Sequence, residues 1–220
     1  DSLDAQGAVT VTAPVPDFGD ADLASAARAL TGTTLQVPPM VSALKVGGER
    51  LHALARRGVE VERAPREVTV TSLAVERGDG DTLAFDVTCS AGTYVRVLVS
   101  DLAESLGTHA HLTSLRRVSS GRFDVADALT LGDLEAALER GESVLRPASD
   151  FVAGLASVTL SDDEERRVRQ GQAIELAEGL EGEEIAALDA AGSLVAVLAR
   201  RARTGRPELV LAPETPRTRG

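Results

Sequence analysis

Apolar residues recur along this chain in two periods, one near 3.6 residues and one of 2, and the switches between them mark out its elements. The stretch from Asp20 to Leu30 (DADLASAARAL) reads as a helix with Asp at its start and Gly32 just past its end. Pro38 and Pro39 then impose an extended segment, Gly47 and Gly48 a turn, and Arg50 to Arg57 a short helix closed by Gly58. Residues 67–76 (EVTVTSLAVE) alternate and are rich in β-branched side chains, so they read as a strand. The run Gly78-Asp79-Gly80-Asp81 turns the chain, and 82–90 (TLAFDVTCS) returns as a second strand. Residues 94–106 carry Val95, Leu98, Leu102 and Leu106 at helical spacing before Gly107, while 111–123 are mixed and extended.

Two capping patterns, Thr130-x-x-Asp133 and Ser161-x-x-Glu164, open helices that end at Gly141 and Gly171. The pattern loosens over 142–157, which suits a linker. Short strands follow at 173–176, 184–188, 193–199 and 208–212. The expected fold is α+β: a mixed, mostly antiparallel sheet with flanking helices over 1–150, then a small β-rich, barrel-like domain over 157–220. The tail PETPRTRG is expected to be disordered. There are no repeats and no low-complexity tract.

Composition narrows the classes. No apolar run approaches a membrane span of about 18 residues, and the first residues carry no secretory pattern. A single cysteine, Cys89, excludes an internal disulfide framework and a cysteine-rich zinc module. These features point to the cytoplasm and away from membranes. The first residue is Asp1 rather than Met, so the chain is expected to be a piece of something longer. The formal net charge of -11 opposes phosphate binding at first sight. The charge is uneven, however. Residues 31–67 hold six basic and four acidic side chains, and 96–122 hold Arg96, Arg116, Arg117 and Arg122 against Asp101 and Glu104. An anionic partner would meet those two segments, because local potential decides the docking face.

The most informative stretch is Cys89-Ser-Ala-Gly-Thr-Tyr-Val-Arg96, where a strand ends at a glycine turn and a helix starts within a few residues. Arg96 falls in the first turn of that helix. Free N–H groups and the helix dipole already make that place positive, so a guanidinium there predicts a carboxylate or phosphate opposite. Tyr94 offers a flat face for stacking on a base. From spacing alone, a core tyrosine beside a surface ion pair accounts for the same residues. Lys45, the only lysine, suits a structural or phosphate contact. His109 and His111 lack the company a metal site needs, and Gly78–Asp81 lacks the rest of a calcium loop.

The runs GTYVRVLVSDLAESLGTHAHLTSLRRVSSGRF and QVPPMVSALKVGGERLHALARRGVEVERAPREVTV resemble the tRNA pseudouridine-55 synthases of the TruB type. The start, Asp1-Ser-Leu-Asp4-Ala-Gln-Gly7, resembles that family's Asp-Ala-x-Gly loop, and the C-terminal block is similar to its PUA-like RNA-binding domain. The resemblance implies isomerisation of uridine to pseudouridine in the T-loop of tRNA at position 55. The uridine is flipped out, its glycosidic bond is broken and the base is rejoined through C5, with an aspartate nucleophile and no cofactor or metal. Carried over by position, Arg96 matches the arginine that pairs with the nucleophile, and Tyr94 and Leu115 match pocket residues on the target base. Asp4, Lys45, His111, Arg116 and Arg117 become candidate RNA contacts. The resemblance has departures. A Gly-Thr-Leu-Asp-Pro loop is absent from these 220 residues, as are the histidine before it and the second pocket tyrosine, and Val41 stands where a tyrosine often precedes Ser-Ala-Leu-Lys. The nucleophile is therefore expected outside this polypeptide, Asp4 is expected to be a structural or RNA-side residue, and the chain alone is expected to be inactive. The implied partner is the T-arm of tRNA, met by a monomer. A non-catalytic RNA-binding or tRNA-folding module is the alternative, and a small-molecule enzyme built on Tyr94 and Arg96 is a third.

Overall fold

A computed structural model describes residues 1–212; the tail expected to be disordered lies outside the described residues. The chain divides into two compact units, Asp1–Arg116 and the residues from Arg117 onward.

In the first unit, helix α1 (Asp20–Ala29) buries Leu23, Ala26 and Ala27, an i, i+3, i+4 face that packs on the sheet. Its start is secured by Asp22, whose carboxylate accepts the Gly19 N–H at 2.8 Å. The sheet holds β1 (Gly32–Gln36), β4 (Arg66–Arg77) and β5 (Leu83–Cys89) in the antiparallel order β1-β4-β5. Alternation is visible in β4, which buries Val68 and Val70, and in β5, where Leu83, Phe85, Val87 and Cys89 are half-buried and their neighbours exposed. Strand β1 was not expected from the pattern. Its sequence GTTLQ buries only Gln36, so it carries no apolar period. The strands β2 (Lys45–Val46) and β3 (Glu49–Arg50) form a minimal hairpin around Gly47 and Gly48, both at positive φ. Helix α2 (Leu51–Arg56) buries Leu51 and Leu54, and α3 (Val95–Ser105) buries Leu98, Leu102 and Ala103.

The second unit opens with the small pair β6 (Ser119–Ser120) and β7 (Phe123–Asp124), then α4 (Leu131–Glu139), capped as expected by Thr130, whose hydroxyl accepts the Asp133 N–H. Its main body is a five-stranded sheet of β8 (Ala156–Thr159), β9 (Ile174–Glu175), β10 (Glu184–Leu188), β11 (Leu194–Arg201) and β12 (Thr204–Val210), ordered β8-β10-β11-β12-β9. Only β8 and β10 run parallel. Helix α5 (Asp162–Arg169) starts with the Ser161–Glu164 capping box and drives Val168 into a core of Leu160, Ile174, Ile185, Val195 and Leu198. The last strand begins four residues earlier than its pattern suggested. Gly205 and Pro207 disguise it, yet a Cβ on Gly205 would lie 2.9 Å from Leu198 Cδ1, so any larger residue would push on the core leucines. Strand β8 is not among the expected strands and overlaps the end of the expected linker only at residues 156 and 157.

Candidate active site

Strand β5 delivers the chain to a turn at Gly92 (φ 85°), and α3 starts with Tyr94 as its N-cap. Arg96 is the second helical residue, where its charge is unfavourable for the helix unless an anion compensates. The anion is Asp4. Arg96 Nη1 donates to Asp4 Oδ2 at 3.0 Å and to the Ser2 carbonyl at 2.7 Å, and Nη2 donates to the Val41 carbonyl at 2.7 Å. The two side chains are 21% and 32% exposed, so the pair is screened less than a surface ion pair.

Asp4 is held from several sides. Its Oδ1 accepts the Gln6 N–H and the Ser2 hydroxyl, each at 3.0 Å, closing a local turn. The Gln6 hydrogen bond, then the Ser2 hydroxyl, then the Arg96 charge hold its carboxyl below the ordinary aspartate value of 3.8. The loop is anchored beyond the turn: Ala5 N–H donates to the Leu112 carbonyl and Leu112 N–H to the Leu3 carbonyl, with Leu112 buried and Leu3 at φ 61°. The N-terminal loop, the Val41 segment and α3 therefore meet at Arg96, and Leu112 anchors the loop behind them. An acid within the chain, Asp4, already faces the guanidinium. Spacing could not reveal this, since 92 residues separate the two and only the bridge to Leu112 brings the loop home.

Tyr94 is half-buried, and its hydroxyl has no hydrogen-bond partner among the described residues. Its backbone is clamped by Gln36, which lies 58 residues away and is 6% exposed: Tyr94 N–H donates to Gln36 Oε1 at 2.8 Å, and Gln36 Nε2 donates to the Tyr94 carbonyl at 3.2 Å. Sequence reasoning missed Gln36, and no signal pointed to it, since it ends a strand without periodicity. Ser42 is also buried, its Oγ unpartnered among the described residues, and its carbonyl lies 3.1 Å from His52 Nδ1.

The remaining expected site residues are dispersed. Leu115 is 56% exposed, Lys45 is exposed on β2, and His111 is exposed beside the Leu112 bridge. Arg116 and Arg117 are exposed, with the boundary between the two units falling between them. Among the described residues none of these five bonds to the Arg96 network. No cluster of three metal-ligating side chains occurs among the described residues, and no helix there is long and apolar enough to cross a membrane. A shallow cavity of about 320 Å³ in the second unit is lined by Phe151, Leu155, Val197 and Leu209 with Glu184 and Glu208, and holds none of the expected site residues.

Comparison with known proteins places this geometry. Residues 1–95 match the profile of the TruB family pseudouridylate synthase N-terminal domain, 96–151 that of the tRNA pseudouridylate synthase B C-terminal domain, and 155–212 that of the tRNA pseudouridine synthase II C-terminal region. The chain is 41% identical over 181 residues to tRNA pseudouridine synthase B of Psychrobacter cryohalolentis, covering 82% of this chain and 50% of that one. It is 45% identical over 175 residues to the protein of the same name from Aromatoleum aromaticum, covering 79% and 56%. It thus spans about half the length of the curated relatives it matches. In fold it is similar to a chain in a crystal structure of a Cbf5-Nop10-Gar1 complex, with a TM-score of 0.71 at 24% identity, over 90% of this chain and 64% of that one. By matched sequence along almost its whole described length, the chain belongs to the TruB family of pseudouridine synthases.

Proposed function

We propose that this chain supplies the arginine, the stacking tyrosine and the RNA-binding domain of an enzyme that isomerises uridine 55 in the T-loop of tRNA. The observation that carries the reading is the bonding of Arg96. Asp4, Ser2 and Val41 hold its guanidinium from one side and leave Nε and one Nη2 hydrogen without a partner among the described residues. Those donors are free to hold a second carboxylate or a phosphate. Asp4 itself is an anchor rather than the nucleophile: both of its oxygens already accept hydrogen bonds, and its lowered pKa marks a well-satisfied, weakly nucleophilic anion. The nucleophile then comes from a loop other than those described, and the 220 residues alone do not turn over.

In this reading Arg96 orients and electrostatically stabilises the attacking carboxylate, while the Tyr94 ring stacks on the extruded uracil and offsets part of the cost of unstacking it. Leu115 contacts the same base, and Lys45, His111, Arg116 and Arg117 meet the phosphate backbone, with the domain over 157–220 adding RNA-binding surface. The enzyme works as a cytoplasmic monomer without metal or cofactor.

The test measures tritium release from C5-labelled uridine in a tRNA transcript, together with T-arm binding. The 220-residue chain is expected to bind a T-arm stem–loop with an affinity that falls steeply with salt, and to release no tritium. Absence of binding would sink the tRNA reading. Turnover by the chain alone would instead make Asp4 the nucleophile.

A further inference from the structure

The N-cap of α3 lacks a partner of its own. In a capping box, the third helical residue reaches back to the N-cap N–H, but that residue is Val97, which cannot, and the Tyr94 side chain makes no capping hydrogen bond. The Tyr94 N–H would be left bare in a half-buried place. Gln36 supplies the missing acceptor from another strand and adds a donor to the Tyr94 carbonyl, which already accepts from Val97 and Leu98. The two bonds are complementary. Only one orientation of the amide satisfies both, so the side chain fixes the rotation of the Tyr94 peptide units as a strand neighbour would.

We propose that Gln36 is a positioning residue, which sets the Tyr94 ring and the first turn of α3, and hence Arg96, in the geometry needed to receive a flipped base. The proposal rests on the function assigned above for what the ring meets, though not for the clamp itself. A buried amide costs desolvation that its two bonds to the Tyr94 backbone offset, and an aliphatic residue in its place would leave the Tyr94 N–H without an acceptor. Its retention at 6% exposure is accounted for by what it holds.

The chain contains one tyrosine and no tryptophan, which makes the test direct. Labelling the full 220-residue chain with ¹⁵N-tyrosine gives a single amide signal, that of Tyr94. In the wild-type chain this amide is expected to exchange with deuterium at least about 100-fold more slowly than an unstructured amide. Gln36→Glu keeps the acceptor for the N–H and loses the donor to the carbonyl, so it should retain most of that protection with a shifted signal. Gln36→Met keeps the shape and loses both bonds, so protection should fall at least about tenfold below wild type, and T-arm stem–loop affinity should fall in the same order, wild type over Glu over Met. Wild-type signal and protection in both variants would overturn the clamp. Displaced signals with unchanged RNA affinity would overturn its role in the pocket. If Gln36→Met does not fold, Gln36→Glu decides, and loss of fold in both would make the residue structural rather than positioning. Failure of the wild-type chain to bind the stem–loop would count against the proposed function alone, because the exchange of Tyr94 still scores the clamp.

Discussion

The two units bury different things. The core of the second unit is aliphatic throughout, from Leu160 and Val168 to Ile185, Val195 and Leu198. The first unit holds every buried polar residue among those described, Ser2, Gln36, Ser42 and Thr108, and three of these border the Arg96 and Tyr94 sites through Asp4, the Val41 segment or the α3 cap. Apolar burial is non-directional and stabilises whatever is packed. Polar burial is worthwhile only where each group finds a partner in one geometry. The second unit is therefore built for stability, and the first gives up part of its core to hold a few side chains still.

Four substitutions sharpen that contrast, taken from the largest expected effect down. In a protein of the relatives' full length built around this chain, Arg96→Ala should lower the rate of tritium release by about 100- to 1,000-fold, with tRNA affinity changing by less than about threefold. Equal losses in rate and affinity would make Arg96 a binding residue. Leu198→Ala, in the core of the second unit, should cost about 2–5 kcal/mol in guanidinium unfolding, since Leu198 is fully buried between sheet and helix. Asp4→Asn keeps the turn but removes the charge facing Arg96. It should slow the same reaction by about tenfold while the protein stays folded, read from rate assays beside thermal melts. Because the folded-state carboxyl of Asp4 lies below its usual value, the pair contributes above the ordinary aspartate pKa and is lost as pH falls through the lowered one. Wild type should accordingly keep the Arg96 contact as pH falls through the ordinary aspartate value of 3.8 and lose it only below that, and melts recorded over an acid series would check it. Ser161→Ala, which removes only the α5 capping box, should cost about 1 kcal/mol in the same melts and leave the Tyr94 amide signal unchanged.

The same contrast explains what could be read from the sequence. The helices α1 to α5 and the strands β4, β5, β9, β10 and β11 follow apolar periodicity, caps or glycine stops and stood out, whereas β8 and the start of β12 did not. Strand β1 did not, because its one buried residue is a glutamine. Of the candidate site, the need of Arg96 for an anionic partner was legible from its place in a helix's first turn, while the roles of Arg96 and Tyr94 in a pocket came from the family resemblance and not from spacing. The identity of that partner was not. Asp4 reaches Arg96 through a turn closed by Ser2 and Gln6 and a one-residue bridge to Leu112, contacts that leave no periodic mark. Gln36 is invisible for the same reason: a side chain that imitates backbone pairing looks like any other polar residue.

The proposed function requires that Arg96 serve a reaction and not the fold alone. Single-turnover tritium release, measured with wild type and Arg96→Ala at saturating tRNA in a protein of the relatives' full length built around this chain, decides it. A rate lowered by at least about 100-fold, in a variant that stays folded at the assay temperature although it melts lower for want of its bonds to Asp4, Ser2 and Val41, is the expected result. A wild-type rate from the alanine variant would contradict the account.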